Sequence, residues 1–167
     1  LDFHYSDSWA DPGKQFPPQQ WTSTNTATLQ DSIKQHTLHV LNALWAQGVK
    51  PTWVQIGTET NDGMLWPMGK ASQSMSSYAA FIKAGYEAVK SWDPNVYVIV
   101  HLSNGYDNAL YRWNLDGLKQ YGAKWDIIGM SLYPTAENWA VLNQQCVANM
   151  QDLIIRYQTP VMICEVG

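Results

Sequence analysis

Positive charge is scarce in this chain. Of 167 residues, 10 are Lys or Arg against 14 Asp or Glu, and charged residues make up only 14% of the total. The only two arginines are Arg112 and Arg156. Such a surface excludes nucleic acid as a partner, since that needs a basic footprint, and a polybasic membrane contact. No apolar run approaches the roughly 20 residues of a membrane span. Two cysteines, Cys146 and Cys164, provide neither a disulfide framework nor a metal spacing, so no metal and no cofactor is expected. No GxGxxG, P-loop, HExxH or GxSxG motif occurs. The chain opens on Leu1-Asp2-Phe3-His4 rather than on an initiator Met, and no signal peptide is expected within these residues.

Aromatic residues are plentiful instead. Nine Trp, nine Tyr and three Phe exclude a disordered chain, which has few aromatics and high net charge. Strand-like and helix-like segments alternate, the pattern of an α/β fold with parallel strands. Strands are expected at 1–5, 52–57, 96–102, 125–133 and 161–164. Helices are expected at about 27–47, 76–91, 109–121 and 139–157. Leu29, Ile33, Val40, Leu44 and Trp45 recur at helical spacing, and the Ser/Thr-rich stretch over 21–28 reads as loop and helix entry.

Ligands of parallel α/β folds meet the carboxyl ends of the strands. His4, Tyr5, Asp7, Trp9 and Asp11 follow the first strand; Glu59, Asn61, Asp62 and Trp66 the second. His101, Asn104 and Asp107 follow the third, Ser131 and Tyr133 the fourth, and Glu165 the fifth. There are four glutamates. Glu87 reads as a solvated helix residue and Glu137 as an N-terminal charge favoured by a helix dipole. Glu59 and Glu165 each end an apolar strand, where a carboxylate is costly unless partnered. Each alone is equally well a capping or salt-bridging group. Two such residues within one aromatic rim point to glycoside hydrolysis, in which one carboxyl protonates the leaving oxygen and the other attacks the sugar carbon.

The other rim residues have bland readings beside functional ones. His4 and His101 are ligand contacts or hydrogen-bonded structural groups; His36 and His39, within a helix, are structural. Trp9 and Trp66, in rim loops, are the candidates for stacking on a sugar ring, whereas Trp45, Trp53 and Trp92 read as packing. Asp7 is a hydroxyl reader, and Asp11 before Pro12 is equally an Asx turn. Tyr133 orients a carboxylate or packs on the rim. Cys164 is a small buried hydrophobe.

The string Phe3-His4-Tyr5-Ser6-Asp7-Ser8-Trp9-Ala10-Asp11-Pro12-Gly13 resembles the third-strand signature of glycoside hydrolase family 53, the endo-β-1,4-galactanases. Gly57-Thr58-Glu59 with Gly63-Met64-Leu65-Trp66-Pro67 is similar to that family's fourth-strand motif. Val100-His101-Leu102 with Gly105, Ile128–Pro134 and Val161–Glu165 resemble the fifth, sixth and seventh. The resemblance runs in order over the whole chain. It implies a (β/α)8 TIM barrel, here incomplete, with about five βα units (strands 3 to 7), so that residues 1–167 form a partial TIM-barrel catalytic domain. Eight units take about 250 residues. An open parallel sheet exposes edges and apolar faces, so the isolated segment is expected to be insoluble, oligomeric or inactive.

The resemblance further implies a retaining, secreted or periplasmic enzyme acting on the β-1,4-galactan side chains of pectin. Glu59 takes the acid/base position, Glu165 that of the nucleophile and Tyr133 that of the tyrosine contacting it. His101 and Trp66 take positions in the substrate cleft; His4, Asp7, Trp9, Thr58, Asn61 and Asp107 are further substrate-binding candidates from their place at or after the strand ends, not from the resemblance. The family's calcium site involves the loop after strand seven, so no metal is expected from these residues. One departure stands out: Thr58 occupies the position before the acid/base where the family normally has Asn. Thr reaches less far and has one donor, which predicts weakened transition-state contact and a lower rate. The alternatives are a retaining hydrolase of another β-1,4-linked polysaccharide (glucan, mannan) and a non-catalytic glycan-binding homologue.

Overall fold

The computed structural model describes residues 1–21 and 25–167. Of the Ser/Thr-rich stretch expected as helix entry, residues 22–24 lie outside the described residues. The Asn25 side chain accepts from the Ala27 amide, capping the helix that follows.

Strands and helices alternate as β1 (Asp2–Phe3), α1 (Thr26–Trp45), β2 (Trp53–Ile56), α2 (Ala71–Trp92), β3 (Tyr97–Leu102), α3 (Asn108–Gln120), β4 (Ile127–Leu132), α4 (Trp139–Tyr157) and β5 (Val161–Val166). The strands form one sheet in the order β1-β2-β3-β4-β5, each neighbouring pair parallel. These are consecutive βα units of the type that builds a barrel. Several boundaries differ from expectation: β1 is confined to Asp2–Phe3 and β4 to Ile127–Leu132, and two further shifts bear on packing and on the site. α2 begins at Ala71 rather than near residue 76, with a break at Ser74 (φ −152°, ψ 79°). There the Ser74 hydroxyl accepts from the Ser77 amide, restarting the helix as an internal cap. β5 continues through Glu165 to Val166 instead of stopping at Cys164.

The pleat sorts side chains onto two faces. Val54, Ile56, Val98, Val100, Leu102, Ile128 and Met130 are buried against Leu29, Ile33 and Leu41 of α1, Phe81 and Ile82 of α2 and Leu115 and Leu118 of α3. Their alternate neighbours face the barrel side: Asp2, Gln55, Ile99 and Ile127 form one row across the sheet, His101 and Gly129 a second, and Ser131 pairs with Glu165. The buried face of α1 includes Thr37, which periodicity of apolar residues passes over. Thr37 donates to the Ile33 carbonyl and meets the Tyr5 hydroxyl at 2.7 Å.

Trp45 and Trp53 are not core residues: they are 59% and 48% exposed. Trp53 opens β2 opposite Tyr97, on the barrel-side face, away from the helices. Trp45 ends α1 and meets Trp92 edge-on, with ring centroids 6.3 Å apart. Among the described residues, no helix is long and apolar enough to cross a membrane.

Candidate active site

Glu59 is placed by a tight turn at the end of β2. Gly57 has φ +79°, and a Cβ there would lie 2.6 Å from Thr60 Cγ2, so only glycine fits. Glu59 itself has φ 47°, a conformation costing a non-glycine residue about 1 kcal/mol or more. The turn is held from outside. Gln15, buried in the loop after β1, donates its amide to the carbonyls of Asp11 and Thr58 at 3.0 and 2.8 Å. Burial raises the pKa of the Glu59 carboxyl, with Glu165 and Asp11 adding to the rise and Ser131 opposing it. Glu59 and Glu165 are thus close enough to sense each other's charge.

Glu165 reaches the barrel-side face through an irregularity in β5. Met130 pairs with Ile163 but Ser131 pairs with Glu165, so one extra residue, Cys164, enters the ladder. Without it Glu165 would stand opposite Leu132 and point towards the helices; a one-residue shift reverses the face. Tyr133 donates its hydroxyl to Glu165 Oε2 at 2.8 Å, and Thr58 Oγ1 lies 3.5 Å from Oε1. The partnership with Glu165 is the main reason the Tyr133 phenol titrates above its ordinary range. Gly129 makes the space below: a Cβ there would come within 2.8 Å of Cys164 Sγ.

His101, fully buried, links the strands. The Glu59 backbone amide donates to its Nδ1 at 3.4 Å, so Nε2 carries the proton and donates to Ser131 Oγ at 2.9 Å. Burial lowers the His101 pKa to about 4, against the opposing pull of Glu165. Above that pH the ring is neutral, and its 3.9 Å approach to Glu165 Oε1 is no ion pair.

The remaining rim residues divide. His4 accepts from the Ala10 amide at Nδ1 and lies 3.1 Å from Asp2 through Nε2. Asn61 braces two loops, bonding the Ser103 hydroxyl and amide at 2.6 and 2.8 Å. Asp7 accepts from the Gln19 amide and Asp11 forms an Asx turn to Gly13. Trp9 is 74% exposed and free to meet a ligand. Trp66 bonds the Asp62 carbonyl, with Lys70 4.9 Å from its ring centre and Phe16 edge-on. Asp107 caps α3 through the Leu110 amide and bonds to neither site glutamate. His36 sits edge-on to Phe3, Tyr5 and Trp21, a packing role.

Sequence reasoning missed Gln15 and Gln55 and gave Ser131 no role. Gln15 lies in the loop after β1 but twelve residues beyond the strand's end, and Gln55 lies inside β2, where the strand-end rule does not look. Only the oddity of an uncharged polar residue within the apolar run Trp53–Ile56 could have drawn attention to Gln55.

A half-buried carboxyl whose pKa is raised, beside a carboxylate steered by two hydroxyls, can donate to a leaving oxygen while its partner attacks carbon. A profile described as Glycosyl hydrolase family 53 matches residues 1–167. A Niallia circulans protein described as an uncharacterized protein in the bgaB 5′ region is 36% identical, covering 99% of this chain and 46% of its own length. An arabinogalactan endo-β-1,4-galactanase of Thermothelomyces thermophilus is 33% identical, covering 86% of this chain and 44% of its own length. Among solved structures, the Ignisphaera aggregans GH53 catalytic domain superposes with a TM-score of 0.90 at 33% identity, covering 99% of this chain and 44% of that one. A fungal β-1,4-galactanase superposes at 0.91 and 27% identity, covering 99% and 51%. The chain thus spans about half the length of the relatives it matches. Its five parallel strands and four helices are the corresponding units of their (β/α)8 barrel. With the family profile matched over every residue, the chain belongs to glycosyl hydrolase family 53.

Proposed function

We propose that residues 1–167 belong to the catalytic barrel of a retaining endo-β-1,4-galactanase, secreted or periplasmic, that cleaves the galactan side chains of pectin. Glu59 gives its proton to the glycosidic oxygen as the C–O bond breaks, and a Glu165 oxygen attacks the anomeric carbon. The resulting glycosyl ester is hydrolysed when Glu59, now ionised, takes a proton from water, whose oxygen displaces Glu165. The observation that carries this reading is the pairing of unlike glutamates. Burial and the neighbouring Glu165 raise the pKa of Glu59, while the Tyr133 hydroxyl holds Glu165 at 2.8 Å. Trp9, Trp66, His4, Asp7, Asn61, Thr58, His101 and Asp107 would contact or shape the sugar chain in this reading.

The test is hydrolysis by the full-length protein of galactan, β-1,4-glucan and β-1,4-mannan, with and without Glu165→Ala. Galactan should be cleaved and the variant should be inactive; preference for glucan or mannan would overturn the substrate assignment. A second reading, a non-catalytic glycan-binding homologue, is favoured by Thr58 at the position where the family normally has Asn. It requires that Glu165→Ala leave galactan affinity intact and that the parent release no reducing ends.

A further inference from the structure

Below the rim, Asp2, Gln55 and Thr58 form a line that the two-glutamate chemistry does not use. Asp2 on β1 and Gln55 on β2 are register partners on the barrel-side face. Gln55, almost fully buried, places Nε2 2.7 Å from Asp2 Oδ1 and 3.1 Å from Thr58 Oγ1. An ionised carboxylate only accepts, so Asp2 decides which end of the amide faces it. It is the nitrogen, and its two protons go to Asp2 and to Thr58. His4 holds the far side of Asp2, with Nε2 3.1 Å from Oδ2.

The Thr58 hydroxyl has a single proton. Accepting from Gln55, it must give that proton to His101 Nδ1 at 3.3 Å or to Glu165 Oε1 at 3.5 Å. Nδ1 has one lone pair, and the Glu59 backbone amide, which cannot rotate, already points at it. The proton therefore goes to Glu165 Oε1. Tyr133 occupies Oε2, so each oxygen of the nucleophile has its own donor. The terminal torsion of a glutamate is broad and roughly two-fold; two donors from different strand ends fix it, and a fixed attack geometry is worth rate.

We infer that Gln55, anchored by Asp2, is a positioning residue for Glu165, acting through the Thr58 hydroxyl. This rests on the hydrolase reading above.

Gln55→Glu replaces the donor with an acceptor of the same shape and draws the Thr58 proton away from Glu165. Gln55→Met removes both functions and serves if the charged variant does not fold, as checked by its melting curve. In the full-length protein acting on galactan, either should lower kcat about tenfold, the equivalent of one hydrogen bond to a charged group, with KM changed less than about twofold. In a Thr58→Val background, Gln55→Glu should cost less than about twofold more, because the path through the hydroxyl is already cut. A folded Gln55 variant with the parent kcat would overturn the inference. So would a Gln55 effect that multiplies in full with that of Thr58→Val. If the parent itself releases no reducing ends from galactan, the hydrolase reading fails, and the inference fails with it.

Discussion

The two faces of the sheet are built from adjacent residues and behave oppositely. On the helix side, Val100, Leu102, Ile128 and Met130 are buried in a continuous apolar core. On the barrel side, one residue along, His101 and Ser131 are equally buried. There every polar group must find a partner, and the partners reach the two glutamates. Among the described residues only the Trp125 indole nitrogen is a buried side-chain polar atom without one. Burial alone therefore does not separate the face that holds the fold from the face that presents the two glutamates; hydrogen bonding does.

Exchanging damage between the faces breaks this contrast most sharply. Glu165→Ala should lower kcat on galactan by about 10⁴-fold or more, the scale for losing a nucleophile, while shifting the unfolding free energy by less than about 1 kcal/mol. Ile128→Ala should do the reverse, costing about 2–5 kcal/mol in denaturant melts while the folded fraction keeps its kcat. Comparable stability losses from both would dissolve the distinction. Tyr133→Phe removes one donor from Glu165 and keeps the ring; kcat should fall about tenfold, and an unchanged kcat would leave the 2.8 Å contact without a role.

Much of this division was legible in the sequence. The alternation of strands and helices, the end of α4 at Tyr157 and the gathering of Glu59, His101, Tyr133 and Glu165 at one rim follow from periodicity and the strand-end rule. What was hidden depends on register and tertiary partners. The extra residue Cys164 that turns Glu165 inward is visible only once β4 and β5 are paired. Thr37 is buried because Tyr5 and the Ile33 carbonyl satisfy its hydroxyl. Hydrophobicity alone suggests packing for both Trp45 and Trp53; Trp45 does pack edge-on against Trp92 at the closing end of α1, whereas Trp53, at the opening end of β2, stays half-exposed.

Smaller effects sharpen the comparison on the polar face. Thr58→Asn supplies a second donor and longer reach beside Glu59; kcat should rise a few-fold, the gain of about one modest hydrogen bond. No change or a loss would count against the weakened-contact account. His101 offers a test without substrate. Its folded pKa lies near 4, below the ordinary value of about 6.5 for a free histidine. Between these pH values the unfolded chain binds a proton that the folded chain refuses, so stability falls as the pH drops from 6.5 towards 4. Melting curves at pH 7 and pH 5 should show this loss, and His101→Gln should make it smaller; an equal loss in the variant would place the acid sensitivity elsewhere.

The most direct measurement is the anomeric configuration of the first product, followed by proton NMR as the full-length protein begins to cleave galactan. Paired attack by Glu165 and proton donation by Glu59 predict a β-configured reducing end that mutarotates afterwards. An α-configured product would contradict the account, because water, not Glu165, would then have attacked the sugar.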